Sequence, residues 1–153
     1  MLVQLNRGDS HRTFTPSATE PSLAEFTHEP PRPVVAIFGY PGRVAGLHDH
    51  LPAGWSMRVP RDLDDVHPDE LVMIVRAAVR DVTTARAVLP RNTRIVAVVD
   101  DDAPSELVAG VLTAGADTCV RGGQPAILAS HLVACRRRQL SDRWTRLEAV
   151  LPQ

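Results

Sequence analysis

The chain has 153 residues, 44% hydrophobic, 23% charged and 4% aromatic, the composition of one globular domain that buries roughly 68 to 70% of its unfolded surface without metal or cross-link. Its formal net charge of -1 argues against a polyanion binder held by bulk electrostatics. All 17 basic residues are arginine, which excludes chemistry resting on a lysine, whether a Schiff base, a P-loop ammonium or an ammonium paired with an acyl phosphate.

From Met1 to Pro33 the text is rich in Ser, Thr and Pro with apolar residues at no fixed period, and a disordered arm is expected. No run reaches the roughly 18 to 20 apolar residues of a membrane span and the amino end lacks a signal's apolar core. No membrane partner and a cytoplasmic location are therefore expected. From Val34 to Arg138 the pattern becomes that of a folded domain. Val34 to Phe38 (VVAIF) is a continuous apolar run stopped by Gly39, Pro41 and Gly42, as for a strand covered on both faces. Val44, Leu47 and Leu51 predict a helix. Trp55, Met57 and Val59 alternate with polar residues and predict an edge strand. Leu63 and Val66 mark a short helical turn ended by Pro68. Leu71 to Val75 (LVMIV) and Ile95 to Val99 (IVAVV) are the two central strands, joined by a helix striped by Val82, Ala85, Val88 and Leu89. Pro104 opens a helix with Leu107, Val108, Val111 and Leu112 on its buried face, and Gly115 stops it in a left-handed turn. Thr118 to Arg121 is a brief last strand. A final helix opens at Pro125 with Leu128, His131, Leu132 and Cys135 inward. Residues 139–153 form a separate helical extension, with Ser141 as its cap and Trp144, Leu147, Val150 and Leu151 on one face.

Five strands alternating with five helices imply right-handed crossovers, a mostly parallel, doubly wound α/β sheet, and ligand sites at the carboxyl ends of the strands. Those ends are Gly39 to Gly42, Val75 to Arg80, Asp100 to Asp102 and Arg121 to Gly123.

Ser105 to Gly123, SELVAGVLTAGADTCVRGG, resembles the fourth helix and fifth strand of response-regulator receiver domains, with the Ala-Gly-Ala-Asp turn at Ala114 to Asp117. The βα order from Val34 to Arg138 is similar to the same flavodoxin-like fold. The departures decide the expected function. Receivers hold Mg²⁺ with an acidic pair after the first strand, because a hard cation takes carboxylate oxygens; here that place reads Phe38, Gly39, Tyr40. The phosphoryl acceptor falls on Val75 or Arg76, the switch hydroxyl on Val99 or Asp100, and the family's lysine on Arg121 or Gly122. The resemblance therefore implies a pseudo-receiver that does not take up phosphate, with a degenerate switch site at Arg76, Asp100, Asp101 and Arg121. Arg76 is expected to pair with Asp100 or Asp101 in place of the missing network.

The expected function is that of a phosphorylation-independent signalling or regulatory domain, not an enzyme. It would act through a protein partner or homodimer on the family's fourth helix, fifth strand and fifth helix, with Leu112, Asp117, Arg136, Arg137, Trp144 and Leu147 as the candidate interface. The 15 residues after Arg138 are too few for a helix-turn-helix with its support, so direct nucleic-acid binding is not expected. The alternative is a small Rossmann-like nucleotide-binding protein using Gly39, Gly42 and Gly46, whose GxxGxxxG spacing is one residue off a dinucleotide fingerprint. No cofactor or metal is expected: on a helix His48 and His50 point about 200° apart. Cys119 and Cys135 lack CxxC spacing and read as free thiols.

Overall fold

The computed structural model describes residues 31–151. The expected arm therefore lies outside the described residues except for its last three. These are tied down: the Pro31 carbonyl accepts from Arg136 Nη2 at 3.2 Å and the Pro33 carbonyl from the Ser56 amide at 3.0 Å.

Five parallel strands form one sheet: β1 (Val34–Phe38), β2 (Ser56–Arg58), β3 (Leu71–Val75), β4 (Ile95–Val99) and β5 (Thr118–Arg121), in the order β2-β1-β3-β4-β5. Every residue of β3 and β4 is buried, which is why both read as unbroken apolar runs. Their side chains alternate between two cores. On one face Val35, Ile37, Leu71, Met73, Val96 and Val98 pack under helices α1 (Leu47–His50) and α4 (Pro125–Val150) through Leu47, Leu128, Leu132 and Cys135. On the other, Ala36, Val72, Ile74, Ile95 and Ala97 meet α2 (Val79–Val88) and α3 (Ser105–Thr113) through Val82, Ala85 and Val111. Small residues in the middle of β1 and β4 leave room for the second pair of helices.

Two expectations about helices are overturned. The short helical turn expected at Leu63 and Val66 is present as the 3₁₀ turn Leu63–Asp65, so it is the count of five helices that fails: the described residues hold four α-helices. The segment is bracketed by Pro60 and Pro68, and the Asp62 carboxylate accepts from the Asp65 amide at 3.1 Å, closing a turn that competes with a helix. The second correction concerns the carboxyl end. Ser141 caps nothing, because α4 runs unbroken over 26 residues. Between Pro125 and Pro152 there is neither Gly nor Pro, and Arg, Gln and Leu at residues 136–140 are good helix formers.

Candidate functional site

Parallel α/β sheets open their sites where the strands end; here the space beside Asp100 is nearly filled, while that between β1 and α2 stays open. Gly39, at φ +91°, follows β1 so tightly against β3 that a Cβ there would run into the Val75 carbonyl oxygen. Arg76, just after β3, holds a left-handed φ of +57°, the only described non-glycine residue with a positive φ. Two arginines converge on one carboxylate: Arg43 Nη2 lies 3.2 Å from Asp100 Oδ1, and Arg76 Nε lies 4.0 Å from Asp100 Oδ2. All three are partly exposed, with side-chain accessibilities of 51%, 56% and 40% for Arg43, Arg76 and Asp100. The space enclosed by Arg43, Val75, Arg76, Asp100, Gly122 and Gly123 is about 10 Å³, no more than one water needs. A phosphoryl group has no room there.

Arg76 thus meets Asp100, as the sequence suggested. Asp101 does not join them; its carboxylate lies over Gly122, where a Cβ would collide with it. Arg121 is exposed at the end of β5. Arg43 was missed, because nothing in a loop of Pro, Gly and Arg announces which side chain turns back over the sheet. The glycines divide by cause. Gly39 is required by the close approach of β3, and Gly46 by a φ of +84°, while a Cβ on Gly42 would meet nothing. An open hollow of about 440 Å³ flanks Gly39, between Tyr40, Val75, Arg76 and Asp81. Asp81 is occupied, accepting from the Ala78 amide at 2.9 Å to open α2.

The opposite end of the sheet carries the strongest polar construction. Asp117, before β5, accepts from Arg86 Nη2 at 2.8 Å, Arg94 Nη1 at 2.7 Å and the Ile95 amide at 2.8 Å. Arg86 also donates to the carbonyls of Gly115 and Thr93, both at 2.7 Å, and Arg94 reaches Asp142 on α4. Asp117, expected on an interface, is instead the tie between α2, β4, β5 and α4. Arg136 is displaced from the expected surface too: it is 6% exposed and donates to the carbonyl of Asp69 at 3.0 Å, the Gln139 side chain at 2.8 Å and the Pro31 carbonyl. Burial pulls its pKa down from the usual arginine value. A third tie joins β2 to the start of β3: Arg58 donates to Glu70 at 2.7 and 2.8 Å and to Asp65 at 3.1 Å. Burial would raise the Glu70 carboxyl, but the bonds from Arg58 and the His67 amide outweigh it and hold the group below its ordinary value.

Four expected interface residues do lie outside. Leu112 on α3 and Arg137, Trp144 and Leu147 on α4 are exposed. His48 and His50 lie on α1, both exposed, and among the described residues no three His, Cys, Asp or Glu side chains gather as a metal would require. Cys135 is buried and Cys119 half-buried; burial raises both thiols, which disfavours the nucleophilic thiolate. No described helix is long and apolar enough to cross a membrane. No family model and no curated protein matches the chain.

Proposed function

We propose that this chain is a receiver-like regulatory module, flavodoxin-like in topology, that works without phosphoryl transfer and acts through protein contact rather than catalysis. The observation that carries this reading is that the ends of β1 and β3 lack a carboxylate and the space beside Asp100 is filled. Where a receiver would hold a metal and a phosphorylated aspartate, this chain has a glycine packed on the neighbouring strand, Arg76, and Arg43 reaching to Asp100. No carboxylate stands at the end of β1 or β3 to take a hard cation or a phosphoryl group. The strand order β2-β1-β3-β4-β5 supports the fold half of the reading, and the Ala114 to Asp117 turn before β5 supports the family half.

Arg76 and Arg43 neutralise Asp100 from two sides and so favour one arrangement of the loop that leads into α3. A switch needs two arrangements of similar free energy that a ligand can bias. With no acidic site for a metal and no room beside Asp100, the module offers constant surfaces, and its output depends on what binds them.

The test is incubation of the purified chain with Mg²⁺ and acetyl phosphate, followed by intact-mass spectrometry. The unmodified mass is expected throughout. A phosphoryl adduct on any carboxylate of the carboxyl end would overturn the proposal.

A further inference from the structure

The unbroken α4 carries two stripes, and only one is used. Leu128, Leu132, Cys135 and Gln139 face the sheet, and the last of them marks where the domain body ends beneath the helix. From Ser141 to Val150 every residue is exposed. Yet this outgoing stretch is not polar all round: Trp144 is 68% exposed and Leu147 52%. With Leu140 before them and Leu151 after, they recur at spacings of four, three and four. That is the 3.5-residue period of a coiled-coil seam, in which Leu140 and Leu147 take d positions and Trp144 and Leu151 take a positions. One heptad earlier the same seam passes through Val133 and Arg137, which line an open hollow of about 410 Å³ beside His50 and α1.

We infer that the occupant of this seam is a second copy of the same chain, with the two α4 helices side by side and parallel. The flanking charges choose both partner and direction. In this register Arg143 is a g residue and Glu148 an e residue, five positions apart, the offset at which g of one strand meets e of the other in a parallel pair. Twofold symmetry then makes that ion pair twice. An antiparallel pair would set g against g and e against e, placing arginine by arginine and glutamate by glutamate. Arg143 is available for this: its contact within the chain is to Asp69 at 3.4 Å, with both side chains 57% exposed. The a-position Arg137 is exposed, and a lone polar a residue lowers stability while favouring a defined register and strand number. Asp142, on the far side of α4, is held by Arg94 and keeps the base of the helix fixed to its own domain. Each copy therefore presents a preformed rigid helix, and the entropy of nucleating it is already met by the fold.

This inference deepens the proposed function by naming the partner, but it reads assembly rather than chemistry. A phosphoryl adduct would sink the phosphorylation-independent reading and leave the seam untouched, and the converse also holds.

The experiment is sedimentation equilibrium of the full chain over a wide concentration range, with Trp144→Arg, Arg143→Glu, Glu148→Arg and the combined charge reversal. A reversible dimer is expected. Trp144→Arg should weaken it at least about tenfold, with an unchanged amide spectrum for residues of β1 to β5 as proof of folding. Each single charge reversal should weaken the dimer, and Arg143→Glu with Glu148→Arg together should restore it. A chain that stays monomeric overturns the inference. If Trp144 in that monomer is shielded from a soluble quencher, its cover comes from the same chain. A dimer indifferent to Trp144→Arg places the contact elsewhere, and failure of the double reversal to restore association rules out the parallel register.

Discussion

The two ends of the sheet treat charge in opposite ways. At the amino end of β4 and β5, Asp117 is held by two arginines and a backbone amide, with side-chain accessibility of 15% against 19% and 20% for Arg86 and Arg94. At the carboxyl end, Asp100 also meets two arginines, but all three groups stand largely in water and one contact is 4.0 Å long. Partly buried, multiply bonded pairs are costly to break because the survivor is left desolvated, whereas exposed pairs are worth about 0 to 1 kcal/mol. The lesson is a division of roles. The amino end holds the fold together, and at the carboxyl end the space beside Asp100 is filled by packing more than by charge.

The sharpest way to break that contrast is Asp117→Ala, which leaves Arg86 only its two carbonyl acceptors and Arg94 only Asp142, and frees the Ile95 amide. It should lower unfolding free energy by about 3 kcal/mol, read from urea midpoints, while Asp100→Ala should change it by less than about 1 kcal/mol. Equal effects would erase the distinction. Next is the packing at the carboxyl end. Gly39→Ala is expected to cost at least about 2 kcal/mol, since it adds a Cβ against the Val75 carbonyl at a left-handed φ. Gly42→Ala should be nearly neutral, because its Cβ meets open space. If Gly42→Ala were the damaging change, the loop would need its glycines for a reason other than strand packing.

A smaller effect belongs to Glu70. Its carboxyl is held below the ordinary value in the folded chain, so the native state binds its proton less readily than the unfolded state. The stabilisation is complete above the unfolded pKa and is lost as pH falls through the lowered folded value. Thermal melts should show an acid-side loss of stability that is shallower in Glu70→Gln, with little difference between the two proteins' slopes near neutrality. Smallest of all is the coupling between Arg76 and Asp100. A double-mutant cycle should return less than about 1 kcal/mol, vanishing in high salt as expected for exposed charges.

Much of the fold was legible because its strands are written without ambiguity. Val34–Phe38, Leu71–Val75 and Ile95–Val99 have Gly, Pro, Arg or Asp close by their ends, and all three emerged at the expected residues. The glycine stop at Gly115, with φ +119°, was also readable from its place after an apolar stripe. The helices were harder: Val44, Leu47 and Leu51 read as one helix, but Gly46 at φ +84° divides the segment into the 3₁₀ turn Pro41–Val44 and the single turn α1. Reading Ser141 as a cap had the larger consequence. It divided α4, and the spacing that links Leu140 to Trp144 and Leu147 became visible only once the helix was continuous. Side-chain reach is the least legible quantity. Arg76 with Asp100 followed from strand order, but Arg43 with Asp100, and Arg86 and Arg94 with Asp117, depend on how long flexible side chains fold back over loops.

The carboxyl end of the sheet takes up neither a nucleotide nor a metal-bound phosphoryl group if the proposed function holds. An amide NMR titration of the full chain tests it directly, using NAD(H), NADP(H) and ATP, and separately Mg²⁺ with an acyl-phosphate mimic. The prediction is an unchanged spectrum at Gly39 to Gly46, Arg76 and Asp100 to Asp102 for every addition. Saturable shifts at Gly39 to Gly46 with a nucleotide, or at Asp100 to Asp102 with Mg²⁺ and the mimic, would contradict it and identify the ligand.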